Sequence, residues 1–359
     1  MGDSTHRFAS RMKDLRASDI REILKITQQP DVISFAGGLP ASELLPAREL
    51  ASLASDLLTK DGATALQYAP TEGLRPLREV IAGRLEKYFA GYRGPDDVLV
   101  VSGSQQALDL TGKVFLDRGD AVLCESPTYL GAISAFRAYR PRFIEVPTDD
   151  AGMVPEELEK RLSTQDRVKL IYVVPDFQNP TGRRWSVSRR RRLAELAARF
   201  GVSVIEDAPY AELCYDGDPL PPVASFDDAG LVVFLGTFSK ILAPGLRLGW
   251  LLASPEMATV LWGYHDYTTI TTNAISDRLG RLAMQPDVRA RILQRNRTIS
   301  ARNLQGLRKW LSAHGQTFRF VPPRIGGVAF VGYDLPIGST ELVMRILQEQ
   351  SVLVVPGDA

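Results

Sequence analysis

Lys240 is the residue around which chemistry is easiest to build in this 359-residue chain. It lies in Gly236-Thr237-Phe238-Ser239-Lys240-Ile241-Leu242-Ala243-Pro244-Gly245-Leu246-Arg247-Leu248-Gly249-Trp250, just after the apolar run Leu231 to Leu235 and seven residues before Arg247. A lysine desolvated near other cationic groups loses part of its basicity, and its free amine then forms a Schiff base with an aldehyde. Arg247 offers a planar donor fork that matches phosphate oxygens. A surface lysine in a strand-to-loop turn accounts for the same stretch more plainly, so the decision rests on the rest of the chain.

Four other stretches carry matching chemistry. After the apolar run Val98 to Val101, Ser102-Gly103-Ser104-Gln105-Gln106-Ala107-Leu108 opens a helix. Free backbone N–H groups at such a start, with the positive dipole end, form an anion site. Ser104 read alone is more simply an N-cap. Pro175-Asp176-Phe177-Gln178-Asn179-Pro180-Thr181-Gly182 follows the run Val168 to Val174, and Glu206-Asp207-Ala208-Pro209-Tyr210 follows Val202 to Ile205. Ser126-Pro127-Thr128-Tyr129 adds a ring able to stack. An imine-forming lysine, a phosphate cradle, a carboxylate at a strand end, an asparagine and a stacking tyrosine are together what pyridoxal phosphate requires. Its ring draws electrons only while the ring nitrogen is protonated, so a buried carboxylate must face that nitrogen, and Asp207 qualifies. Asn179 and Tyr210 can donate to the ring's phenolate oxygen, with Tyr129 over one ring face.

The elements that must position these residues alternate. Runs at Val98 to Val101, Ala121 to Cys124, Arg142 to Val146, Val168 to Val174, Val202 to Ile205 and Leu231 to Leu235 predict strands. Helices are predicted from the Ser102 to Leu108 stretch to about Asp117, from Glu156 to Arg161 and from Ser188 to Phe200. Such alternation predicts an α/β fold, a mostly parallel sheet covered on both faces, with ligands at the C-terminal strand ends where the candidate residues fall. Leu74 to Tyr88 and Ala17 to Lys25 have helical spacing. Beyond Thr268 come a long helical stretch, Val288 to His314, strand-like Thr317 to Val321 and Gly327 to Tyr333, a helix near Thr340 to Gln350, and Val352 to Val355. This looser pattern predicts a second lobe of α+β type. Gly37-Gly38 is either a plain turn or a close approach of backbone to ligand. The arginine run Arg189 to Arg192 is expected on a solvated helix face, and Trp262 to Tyr267, with His265, in core or interface.

Composition narrows the classes. The 43 Lys+Arg against 42 Asp+Glu leave a formal charge of +1, so no global field favours nucleic acid or an anionic membrane. Cys124 and Cys214, each in an apolar context, are expected as buried thiols of a reducing, cytoplasmic compartment. His6, His265 and His314 lack ligand spacing, so no metal site is expected. No run is long enough to span a bilayer. No Gly-x-Gly-x-x-Gly follows the first strands, which argues against a dehydrogenase.

Ser102 to Leu108, Asn179-Pro180-Thr181-Gly182, Asp207-Ala208-Pro209-Tyr210 and Thr237-Phe238-Ser239-Lys240 with Arg247, in that order and spacing, resemble the fold-type I pyridoxal-phosphate enzymes, in particular the class I/II aminotransferases. The resemblance spans nearly the whole chain. Ile20 to Lys25, Phe35 to Pro40, Leu66-Gln67-Tyr68 and Gly103 to Leu110 are similar to the 2-aminoadipate and kynurenine aminotransferase branch. An aspartate-aminotransferase-like fold is implied, with an N-terminal segment 1–44 joining the small domain and the active site, a large cofactor domain 45–268 and a small domain 269–359. By this resemblance Lys240 holds the cofactor as a Schiff base and then moves the substrate's proton, with Asp207 and Tyr210 beside it. Ser104, Gln105, Thr237, Ser239 and Arg247 bind the phosphate. Tyr68 reaches the phosphate of a neighbouring subunit, in a homodimer with shared active sites. Gly38, Asn179 and Arg21 meet the substrate, Arg21 at an acidic side chain. The expected function is transfer of the amino group of an L-amino acid to a 2-oxo acid by ping-pong half-reactions, with no nucleic-acid or membrane partner.

Two departures qualify the resemblance. Asp266 to Asn273 is more similar to other class I/II enzymes, including some that cyclise or oxidise arginine-like substrates, and carries the alternative of a pyridoxal-phosphate lyase, cyclase or oxidase. The family's C-terminal arginine, which pairs with the substrate α-carboxylate, lies beyond the position matching Ala359, so either the chain is a piece of a longer protein, the favoured reading, or carboxylate binding is weakened. Aminotransferase-like domains also occur in regulators fused to a winged helix, but only a short helical stretch precedes Phe35, and no helix-turn-helix with a basic face is present.

Overall fold

The computed structural model describes residues 9–13, 31–36, 38–89, 94–214, 218–321, 324 and 327–358. The expected helix Ala17 to Lys25, and Arg21 within it, lie outside them. The strands are β1 (Ile33–Ser34), β2 (Val98–Val101), β3 (Ala121–Glu125), β4 (Arg142–Val146), β5 (Thr148–Asp149), β6 (Gly152–Met153), β7 (Val168–Val173), β8 (Ser203–Asp207), β9 (Val232–Thr237), β10 (Gly249–Leu252), β11 (Phe318–Phe320), β12 (Val331–Tyr333) and β13 (Val352–Leu353). The helices are α1 (Ala47–Ala65), α2 (Arg75–Leu85), α3 (Ser104–Phe115), α4 (Leu130–Arg137), α5 (Pro155–Thr164), α6 (Val187–Phe200), α7 (Pro255–Thr269), α8 (Ala274–Ala283), α9 (Pro286–Ala313) and α10 (Ser339–Gln350).

Seven strands form one sheet in the order β2-β10-β9-β8-β7-β3-β4. From β9 to β4 all neighbours are parallel, whereas β10 runs antiparallel to both β2 and β9. The interior strands β3 and β9, like β2, are buried along their whole length because both faces are covered, whereas the edge strand β4 keeps Arg142 and Glu145 exposed. Alternation sends Val101, Leu170, Tyr172, Ile205 and Leu235 to one core and Val100, Ile171, Val173, Val204 and Val232 to the other. Helix α6 shows how local signals set the covering layer: Ser186 accepts from the Arg189 N–H at its start, Leu193 and Leu196 are buried, and Gly201 closes it in the left-handed region. Outside the large sheet, β1 pairs in parallel with β13, and β11 pairs antiparallel with β12. No helix among the described residues is long and apolar enough to cross a membrane.

One member of the arginine run leaves the solvated face expected of it, while Arg191 stays exposed. Arg190 is fully buried, and its guanidinium grips both oxygens of Asp176 at 2.9 and 2.7 Å. Arg184 donates to the same carboxylate at 3.1 Å. Arg189 pairs with Asp149 and Arg192 with Glu159, so the run ties α6 to the β5–β6 hairpin, to α5 and to the segment leading to Asn179. Removing one partner of a buried pair strands the other charge. Arg190→Ala is therefore expected to lower the unfolding free energy by about 3–5 kcal/mol, measured from the urea midpoint at unchanged slope. A loss below about 1 kcal/mol would mean that Arg184 alone satisfies Asp176.

Candidate active site

The lysine loop is pinned by the sheet at both ends. Thr237, the last residue of β9, lies opposite Gly249, the first of β10, and Gly249 also lies opposite Val101 at the end of β2. This register brings the loop beside the Ser102 turn. Within the loop Phe238, Ile241, Leu242 and Leu248 are buried, which leaves Ser239 and Lys240 partly accessible and Arg247 exposed. The Lys240 ammonium donates to the Gly38 carbonyl at 2.7 Å and stands 6.0 Å from the Tyr210 ring centroid. Burial lowers its pKa, and the neighbouring Asp207 opposes the shift. Of the two causes the sequence suggested, desolvation is the one at work, with no neighbouring cation among the described residues contributing.

An anion cradle sits beside this lysine. Gly103 precedes α3 with φ +80° and supplies no side-chain cap, so the first N–H groups of a twelve-residue helix are left open. Ser104 is the first helical residue and not the cap. A side chain at Gly103 would begin 2.5 Å from Arg247 Nη2, and one at Gly249 would begin 2.8 Å from the Ser104 nitrogen. Arg247 therefore lies against bare backbone. Thr237 Oγ1 and Ser239 Oγ are hydrogen-bonded at 3.0 Å. The Gln105 side chain is committed elsewhere, donating to the Gly131 carbonyl at 2.8 Å, which leaves its backbone as the part at the helix start.

Between this cradle and the strand ends lie the remaining residues. Tyr129 has its pKa raised by burial and by Asp207, with Arg247 opposing, so its hydroxyl feels both ends of the site. Burial raises the Tyr210 pKa as well, with lesser contributions from Tyr129 and Asp207, and a hydrogen bond with the Asn179 side chain opposes the rise. Asn179 is held by a loop that closes on itself: Gln178 N donates to the Arg183 carbonyl at 2.9 Å, and Trp185 N to the Pro175 carbonyl at 2.9 Å. Asp207, at the end of β8, is pushed up to about 6 by burial, against a hydrogen bond from Tyr172 and the charge of Lys240. Its Oδ2 accepts from the Tyr172 hydroxyl at 2.9 Å, while Oδ1 is buried without a partner. Glu206, one residue earlier, differs: its oxygens accept from the Val223 and Ala224 N–H groups at 2.8 and 2.9 Å. Of two adjacent buried acids, only Asp207 keeps an oxygen to offer.

The structure thus brings Lys240, Asp207, Tyr210, Asn179, Tyr129, Ser104, Gln105, Thr237, Ser239, Arg247 and Gly38 together. Tyr68 stays apart from them: its side chain is 76% exposed, and no hydrogen bond among the described residues joins it to this cluster. Three residues that motif reading passed over also belong here. Tyr172 supports Asp207. Gln178 donates to the Pro127 carbonyl at 2.7 Å, linking the Asn179 loop to the segment that carries Tyr129. Gln106 bridges the Ser102 N–H and the Thr269 hydroxyl, each at 2.6 Å. A molecule with an aldehyde, a basic aromatic ring and a phosphate fits this set, because an amine, an orphaned carboxylate oxygen and an open helix start face it from separate elements.

Comparison with known proteins points the same way. Residues 30–359 match the family model described as aminotransferase class I and II. The chain is 40% identical over 348 residues to the 2-aminoadipate transaminase of Thermus thermophilus, covering 96% of this chain and 85% of that protein. It is 42% identical over 273 residues to aromatic-amino-acid aminotransferase 1 of Thermococcus litoralis, spanning 75% of this chain and 66% of that relative's length. Among solved structures, Pyrococcus horikoshii kynurenine aminotransferase in complex with PMP superposes with a TM-score of 0.91 at 35% identity, over 99% of this chain and 89% of that one.

Proposed function

The chain belongs to the aminotransferase class I and II family, and from that premise we propose how its residues divide the work of moving an amino group from an L-amino acid to a 2-oxo acid. The fold is the aspartate-aminotransferase-like α/β fold, and the cofactor is pyridoxal phosphate. When bound, that cofactor supplies the electron sink that lets the Cα–H bond of an amino acid break. Lys240 Nζ, its basicity lowered by burial, would hold the cofactor at its aldehyde and would serve as the base for the substrate's Cα proton. Asp207 Oδ1, buried without a partner, would hold the ring nitrogen in its protonated form. Arg247, the open backbone of Ser104 and Gln105, and the Thr237 and Ser239 hydroxyls bind the phosphate. Tyr129 would cover one ring face, Asn179 and Tyr210 would donate to the phenolate oxygen, and Gly38 and Asn179 would border the substrate. Arg21 greets an acidic substrate side chain from outside the described residues.

The observation that carries this reading is the pairing, in one buried site, of Lys240 with a carboxylate whose second oxygen is unspent. The relatives are named for 2-aminoadipate, aromatic amino acids and kynurenine, and the substrate is inferred among acidic and aromatic L-amino acids. The test is to mix the pyridoxal-phosphate-loaded protein with a panel of L-amino acids and to follow the cofactor's spectrum and the amino acid formed from added 2-oxoglutarate. Stoichiometric amino transfer from an acidic or aromatic donor is expected. Ammonia release or oxygen uptake without transfer would select the lyase, cyclase or oxidase alternative.

A second copy of the chain is the proposed partner, with Tyr68 reaching its phosphate. Leu66 and Tyr68 project beside Tyr267 and Ile270, all exposed, and the two segments are joined by Thr71 to Asp266 at 3.1 Å and Thr271 to the Pro70 carbonyl at 3.3 Å. Such a contiguous apolar surface suits a protein interface. A division at 1–44, 45–268 and 269–359 is also proposed, and the buried thiols of Cys124 and Cys214 support a cytoplasmic location.

A further inference from the structure

We propose that Tyr172 is a positioning residue for the cofactor's ring nitrogen: its hydroxyl keeps Asp207 in the carboxylate form and turns Oδ1, not Oδ2, toward that nitrogen. This rests on the role given to Asp207 above. Tyr172 is 1% exposed and rises from β7 opposite Ile205 of β8, two residues before Asp207 and on the same face of the sheet. Its ring stands edge-on against Phe136, with centroids 6.0 Å apart at 76°, so the hydroxyl has a fixed direction. That hydroxyl donates to Asp207 Oδ2 at 2.9 Å and leaves Oδ1 as the unpartnered oxygen.

Packing alone does not call for the hydroxyl, since phenylalanine would fill the same space between the strands and Phe136. Its effect is electrical. One proton is shared between Asp207 and a basic ring nitrogen, and donation from Tyr172 stabilises the arrangement in which the oxygen is charged and the nitrogen holds the proton. The other titratable groups facing Asp207 are Lys240 from the loop after β9, Tyr129 from the segment before α4 and Tyr210 from the turn after β8, while Glu125 at the end of β3 faces Tyr172. Of the residues named, only Tyr172 is shown donating a hydrogen bond to the Asp207 carboxylate.

The test titrates cofactor-free protein with pyridoxal phosphate and then follows the bound cofactor's visible absorbance against pH, in Tyr172→Phe, Asp207→Asn and Phe136→Leu. Tyr172→Phe is expected to bind the cofactor about tenfold more weakly and to raise the pH midpoint by about half a unit or more, because a less protonated ring leaves the lysine-bound nitrogen more basic. Asp207→Asn should move both quantities further in the same direction. Phe136→Leu, which loosens the packing and keeps the hydroxyl, should lower the melting temperature without moving the midpoint. Unchanged affinity and midpoint in Tyr172→Phe while Asp207→Asn responds overturns the proposal, as does an equal midpoint shift in Phe136→Leu. If Asp207→Asn is silent as well, the role of Asp207 falls with it.

Discussion

Lys240→Ala is expected to leave less than about one part in 10³–10⁴ of the wild-type turnover. Two functions disappear together: the covalent bond to the cofactor's aldehyde, and the base 2.7 Å from the Gly38 carbonyl that is positioned to carry the Cα proton. The phosphate cradle is untouched, since Arg247, Ser104 and Ser239 are held by the register of β10 and by the start of α3. The variant should still bind the cofactor, yet borohydride should no longer attach it to the chain. Turnover within tenfold of wild type, or persistent borohydride attachment, would remove Lys240 from the centre of the mechanism.

For Asp207→Asn the expected loss is about 10²–10³-fold in turnover, the usual consequence of removing one preorganised electrostatic partner. The same substitution should have the opposite effect on the stability of the cofactor-free protein. Burial lifts the Asp207 carboxyl to about 6, above its ordinary value of about 3.9. The folded chain then binds this proton more tightly than the unfolded chain, so stability falls as pH rises from about 4 to about 6. Above that window the charged carboxylate opposes folding by about 3 kcal/mol. Asparagine has nothing to ionise. Chemical denaturation of the cofactor-free proteins should find the variant more stable near pH 8 and the difference small near pH 4; equal stability at both would show that Asp207 is relieved by contacts other than Tyr172 and Lys240.

The strands that hold the site were legible because each is an apolar run with both faces covered, and the residues at their C-terminal ends are polar for a reason that burial cannot supply. β10 was hidden inside the lysine motif, where Gly249-Trp250-Leu251-Leu252 reads as the tail of a loop; only pairing with both β2 and β9 makes it a strand. α1 escaped a motif reading because, unlike the site residues, its polar and apolar positions carry no chemistry, and its run is broken at Asp61 with φ −142°. Arg190 was misplaced because a run of like charges gives no sign of which member turns inward; that depends on Asp176, fourteen residues earlier and brought near by the Asn179 loop. Tyr172 was invisible for a related reason. Within Val168 to Val174 it passes for one more core aromatic, and its importance appears only when β8 is laid alongside.

The pairing of β1 with β13 has a consequence for how the enzyme is made. Gly38, whose carbonyl covers Lys240, follows a strand whose partner, Val352–Leu353, lies at the far side of the chain in sequence. On the ribosome Ile33 and Ser34 emerge early and lack this partner until β13 has followed, while every strand of the central sheet, the last of them ending at Leu252, precedes β13 in the chain. Until β13 is made, the segment that carries Gly38 lacks the strand pairing that seats it over Lys240. A strand synthesised after the whole central sheet is the one that closes the door.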